Sequence, residues 1–125
     1  MRIAAIQMTS GHEIDVNLEM AGRFLSDAAR LGAVLAALPE NFAFMGRDSG
    51  DKRVIAEPDG AGKIQNFLAD TARRLKIWSV GGTVPLRQNP DGRVAASLLT
   101  YDAQGQRVAR YDKMHLFDVD VPGSA

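Results

Sequence analysis

Apolar residues fall along the chain in short runs, interrupted by two stretches where they recur at helical spacing. Arg2 to Met8 reads Arg-Ile-Ala-Ala-Ile-Gln-Met, a run of the kind that fits a strand covered on both faces. Leu18, Ala21, Leu25 and Ala28 then recur at steps of three and four, with Phe24 and Leu31 beside them. Asn17, Glu19, Arg23, Asp27 and Arg30 fill the other side, so the pattern predicts an amphipathic helix. Asp15 is placed to cap it, and Gly32 to stop it in a left-handed conformation. Ala33 to Leu38 is again all apolar, a buried strand closed by Pro39. Strand, helix, strand implies a right-handed crossover between two parallel neighbours.

From Asn41 to Pro58 the periodicity vanishes, and Gly46, Ser49, Gly50 and several charges predict a long loop, a kind of segment that is often functional. A second helix is expected from about Gly60 to Lys76, striped by Ile64, Phe67, Leu68, Thr71, Ala72 and Leu75. Ile77 to Val80 is a third strand, ended by Gly81-Gly82. The period then changes to two. Val94–Tyr101 and Gln106–Lys113 flank Asp102-Ala-Gln-Gly105 as a hairpin, with Asn89-Pro-Asp-Gly92 as the turn before it. The order β-α-β-loop-α-β-β-β leaves two helices to serve all of its strands, fewer than a layered α/β fold usually offers. The expectation is the first half of a larger fold; a small complete domain with a ragged tail is the plainer alternative.

Composition narrows the function classes. Fifteen Lys plus Arg balance fifteen Asp plus Glu, which gives no electrostatic reason to bind nucleic acid or an anionic membrane. The apolar fraction of 46% is that of a globular chain. There is no cysteine, hence no disulfide framework and no thiol nucleophile within the 125 residues. The apolar run at the start is too short for a signal peptide and nothing later approaches a membrane span, so the expected compartment is the cytoplasm.

Two residues stand where chemistry is done. Glu40 follows Pro39 at the carboxyl end of the second strand, where open α/β sheets place their ligands. A carboxylate there is a candidate general base, although most such residues are solvated or cap the next turn. Lys113 closes the last strand and shares a face with Ala109 and Tyr111, while Val108, Arg110 and Asp112 share the other. An interior lysine needs a partner; a lone one more often snorkels at an edge. His115, among Met114, Leu116 and Phe117, reads as a packing residue, and His12 lies in the loop before the first helix. Two histidines without cysteine make no metal-ligand set. Gly60-Ala-Gly62-Lys63 lacks the spacing and the following Ser or Thr of a phosphate loop. Glu13, Asp118 and Asp120 read as a solvated face. Gly81-Gly82 permits close backbone approach, or simply a tight bend.

Taken in order, Ala4-Ala-Ile-Gln-Met8, Asn17-Leu18, Leu38-Pro-Glu-Asn41, Trp78 followed by Gly81-Gly82, and Tyr111-Asp-Lys-Met-His-Leu-Phe117 resemble the nitrilase superfamily of carbon–nitrogen hydrolases. The resemblance runs from Arg2 to Gly123. Asn41-Phe-Ala-Phe44, Arg47-Asp48 and His115-Leu-Phe-Asp-Val-Asp-Val-Pro-Gly123 are most similar to its Nit branch, which includes amidases acting on deaminated glutathione and related ω-amidases. The resemblance implies an α/β fold, the N-terminal half of an α-β-β-α sandwich, with residues 1–125 forming the first part of one hydrolase domain. It implies a Glu-Lys-Cys triad in which Glu40 is the general base and Lys113 stabilises the oxyanion. The cysteine would lie beyond residue 125, as would a further glutamate of the family. It also implies no metal or organic cofactor, a small amide as substrate, and a homodimer for the full-length parent.

Phe42 and Phe44, on the loop that would line the pocket mouth, are candidate apolar walls for the substrate, with ordinary packing under the loop as the alternative. If Glu40 and Lys113 belong to one site, their charged ends should meet within about 3–6 Å although they stand 73 positions apart. The competing functions are a non-catalytic truncated homologue, a split-subunit interaction domain, or an enzyme acting on nitriles. A flavodoxin-like regulatory domain would want an acidic cluster or a phosphate loop after the first strand, and Gln7-Met8-Thr9 supplies neither.

Overall fold

The computed structural model describes residues 1–48, 50–88 and 92–114. Its centre is a five-stranded sheet in the order β1 (Ile3–Ala5), β2 (Leu35–Ala37), β3 (Trp78–Gln88), β4 (Arg93–Tyr101), β5 (Arg107–Asp112). The first three strands run parallel; β4 and β5 add antiparallel. Helices α1 (Ile14–Arg30) and α3 (Lys63–Leu75) are the two that the periodicity predicts. Leu18, Ala21 and Leu25 from α1 join Ile64, Leu68 and Ala72 from α3 in one core with Ala36, Val84, Leu86 and Leu99 of the sheet. All of these are buried, and their burial supplies the main cohesion.

Several local expectations are corrected. Asp15 lies inside the first turn of α1, where its charge suits the helix dipole, but the residue at the N-cap is Glu13 and makes no side-chain cap. Gly32 does leave the helix at φ +90°. The stretch from Asn41 to Pro58 is not all loop, since Asp51–Ile55 forms a short helix, α2. The third strand does not stop at Gly81-Gly82. It passes through a bulge between Gly81 and Val84 and continues to Gln88, with Pro85 inside it. Pro85 lacks an N–H, and its carbonyl accepts the N–H of Glu57 instead. The Asp102–Gly105 hairpin forms as expected, with Gly105 at φ +81°. Residues 89–91 of the preceding turn lie outside the described residues.

β1 and β2 are covered on one face only. Ile3, Leu35 and Trp78 stand side by side across three strands on the face away from the core. Ile3 is 64% exposed and Trp78 42%. Leu98 and Tyr111 continue that apolar face onto β4 and β5, where Tyr111 is 55% exposed. Both long helices pack on the opposite face. Among the described residues no helix is long and apolar enough to cross a membrane.

Candidate active site

Glu40 and Lys113 meet. The Lys113 ammonium donates to Glu40 Oε1 at 2.7 Å. The sheet brings them together: β2 ends just before Pro39-Glu40, while the Lys113 N–H bonds the Ala96 carbonyl and so fixes the end of β5 on β4. Glu40 retains 54% side-chain exposure and Lys113 33%, so the pair sits on an accessible surface.

Three backbone features aim Glu40. The Leu38 N–H bonds Val80 O at 2.9 Å, continuing the β2–β3 pairing to the strand end. Gly82 then passes so close that a Cβ there would collide with the Leu38 carbonyl oxygen and stand 2.8 Å from that of Pro39. The close approach anticipated for Gly81-Gly82 is therefore real, and it lies directly under the segment that presents Glu40. Asn41 adopts φ +57°, a conformation that turns the chain sharply after Glu40. Thr83 holds it there: its hydroxyl accepts the Asn41 N–H at 3.0 Å and donates to Asn41 Oδ1 at 3.3 Å. The Lys52 ammonium, from α2, donates to the same Oδ1 at 3.0 Å.

Behind this turn, Phe42 is wholly buried and Phe44 nearly so, and Phe42 belongs to the central core. Their packing anchors the loop beneath the pair, the alternative that the sequence leaves open. Asn17 fixes the same loop from the helix side. It is 2% exposed and donates to the carbonyls of Gly11 and Ala43, while accepting the Gly11 N–H. Its place on the polar side of α1 is thus corrected: it is a buried tie between two loops. Ser10 adds a hydroxyl bond to Phe42 O.

Residues 2–125 match the family model described as carbon-nitrogen hydrolase. The chain belongs to the carbon–nitrogen hydrolase family. It is 38% identical over 120 residues to a deaminated glutathione amidase of Synechocystis sp., covering 95% of this chain and 43% of that protein. Among solved structures it superposes on the NitFhit protein of C. elegans with a TM-score of 0.86 at 27% identity, over 98% of this chain and 30% of that one. An amidase from Nesterenkonia sp. AN1, seen after Michael addition of acrylamide at its active-site cysteine, gives 0.81 at 24% identity, over 100% of this chain and 50% of that one. The nitrilase-superfamily and Nit-branch resemblance is thereby borne out, as is the α/β fold. The chain spans less than half the length of the curated relative.

Other candidates of this carbon–nitrogen hydrolase chain fall outside the site. His12 lies 3.5 Å from the Arg47 guanidinium on the surface. Glu13 is exposed at the start of α1, and His115, Asp118 and Asp120 lie outside the described residues. The Gly60–Lys63 stretch is no phosphate loop because the N-terminus of α3 is already filled. The buried carboxylate of Glu57 accepts the N–H groups of Ile64 and Gln65 at 2.6 and 3.1 Å. Gly62 leaves room for it, since a Cβ there would press on the Glu57 side chain. Lys52, Thr83 and Glu57 were all missed by pattern. Only the Gly-Gly-Thr sequence after a strand carried a local signal for one of them.

Proposed function

We propose that this chain carries the Glu and Lys of a Glu-Lys-Cys triad that hydrolyses a small ω-amide, of the kind cleaved by a deaminated glutathione amidase. The observation that carries the proposal is the 2.7 Å contact between Lys113 Nζ and Glu40 Oε1, two residues 73 positions apart. The chain has no cysteine, so the nucleophile comes from protein outside these residues.

The chemistry follows from the pair. An amide carbon is a poor electrophile and a thiol a poor nucleophile until it loses its proton. With Oε1 engaged by Lys113, Glu40 has Oε2 to take that proton as sulfur attacks the carbonyl carbon. The carbonyl π electrons move to oxygen, and the Lys113 ammonium beside it stabilises the negative charge. Collapse breaks the C–N bond, and Glu40 returns the proton to the departing amine (ammonia when the amide is primary). Glu40 next takes a proton from water as it attacks the thioester; collapse breaks the C–S bond, and Glu40 returns the proton to the departing sulfur, freeing the acid and restoring the thiol.

The test joins this chain to the part of the Synechocystis relative that it does not cover, by fusion or co-expression, and measures release of cysteinylglycine, the amine that hydrolysis frees, from deaminated glutathione. Turnover is expected. Glu40→Gln should abolish it, and Lys113→Met should cut kcat by roughly 100-fold or more. The 125-residue chain alone should release none. Turnover by the chain alone, or turnover indifferent to Glu40→Gln, refutes the proposal. A nitrile offered in place of the amide separates the two substrate classes, and an inert assembly would favour an interaction domain.

A further inference from the structure

Lys52 holds a charge that its surroundings do not match. It is half-buried on α2, and its ammonium points to Asn41, the residue after Glu40. The acceptor there is a neutral amide oxygen. Among the described residues Lys52 makes no ion pair, and the nearest acid in sequence, Asp51, spends its carboxylate on the backbone N–H groups of Arg47 and Asp48. A partly buried ammonium normally finds an anion. Nor is Lys52 needed to secure the Asn41 turn, because Thr83 already bonds both its N–H and its side chain.

The charge balance around Glu40 sharpens the point. Glu40 and Lys113 cancel each other across their 2.7 Å contact. Lys52 adds beside them a positive charge that no ion pair among the described residues offsets, and its one hydrogen bond there is to Asn41 Oδ1. A neutral amide would gain nothing from that surplus. An amide with a carboxylate at its far end would.

We propose that Lys52 is the specificity residue of the Glu40–Lys113 site, its ammonium binding the distal carboxylate of an anionic ω-amide while the amide end lies at Lys113. The inference rests on the amidase reading above and deepens it by fixing the substrate's charge. A single charge-assisted hydrogen bond of this kind is worth about tenfold in affinity. It also rejects uncharged amides, because binding one leaves the ammonium desolvated and unpaired. Lysine suffices here because one carboxylate oxygen is enough; a bidentate fork is not required.

Binding is measured on the 125-residue chain by saturation-transfer NMR, a ligand-observed readout that serves self-associated protein as well as monomer. The probes are glutaramate, which bears a carboxylate, and butyramide, which does not. Glutaramate is expected to bind about tenfold more tightly. Lys52→Met should bring the two within about twofold by weakening glutaramate alone, and Lys52→Arg should restore most of the difference. A glutaramate preference that survives Lys52→Met overturns the proposal. So does an equal loss for both probes, which is what a merely structural lysine would give, and so does absence of binding by either. The parent reading fails separately, if turnover by the joined enzyme is indifferent to Glu40→Gln.

Discussion

Gly82→Ala should damage this protein more than its size suggests. The added Cβ would collide with the Leu38 carbonyl oxygen and stand 2.8 and 2.9 Å from O and C of Pro39. All three atoms are backbone, so no rotamer change relieves the contact. Either the Gly81–Val84 bulge or the end of β2 must move, and the Leu38 N–H bond to Val80 O lies between them. Overpacking against a fixed neighbour plus one strained ladder bond gives a loss of about 2–4 kcal/mol. Gly81→Ala is the control. Its Cβ meets Leu68 Cδ1 at 2.5 Å, the end of a side chain that has other rotamers, so its cost is about 1–2 kcal/mol. Trp78, the sole tryptophan, lies three residues from the pair and reports unfolding by fluorescence. In urea, at matched protein concentration, Gly82→Ala should lower the midpoint by roughly 1–2 M. A variant within about 0.5 kcal/mol of the parent, or milder than Gly81→Ala, would refute the close-approach argument.

Glu57→Ala should cost about 3 kcal/mol, since it strips the buried acceptor from two N–H groups of α3 and from the Gln65 amide; Glu57→Gln should cost less, and equal losses in the same urea assay would contradict the capping role. The Arg107 hydrogen bond holds the Asp59 carboxyl below its usual range, and Arg110 does the same for Asp112. Both folded-state values are depressed, so their contribution is present above about pH 4 and lost as pH falls through the folded values. The melting midpoint should fall with acid below that point, only shallowly given the exposure of both groups, and the double Asn variant should flatten the fall. The open sheet face with Ile3, Trp78 and Tyr111 should drive self-association, seen by sedimentation velocity at micromolar concentration. A monodisperse monomer melting in one sharp transition would mean that these residues close a complete core.

What the sequence showed, and what it hid, divides by range. The stripes Leu18–Ala21–Leu25 and Ile64–Leu68–Ala72 announced α1 and α3 because a helix writes its buried face into local spacing. Asn17 broke that rule. Its polarity put it with the exposed side, whereas its amide is satisfied by Gly11 and by Ala43, 26 residues away. The five residues of α2 are too few to show a period. Gly81, Gly82 and Pro85 are strand breakers by composition, yet β3 survives them through a bulge and a carbonyl paired outside the sheet. The Glu40–Lys113 contact has no local signature at all. Each residue could be suspected from its place at a strand end, but only the ordered family motifs joined the two. Lys52 was invisible because its meaning depends on which acceptor it reaches.

The strand order carries a consequence for biosynthesis. Each strand pairs with its immediate predecessor in the chain, from β1 through to β5. A nascent polypeptide leaving the ribosome therefore meets its docking edge already formed at every step, and no strand has to wait for a later one to be inserted beside it. At translation rates of about 5–20 residues per second, the interval between successive strands is on the order of seconds, long compared with hairpin closure. Assembly can keep pace with synthesis. The Glu40 carboxylate is synthesised well before Lys113 emerges, so the charge pair closes only once β5 has joined β4.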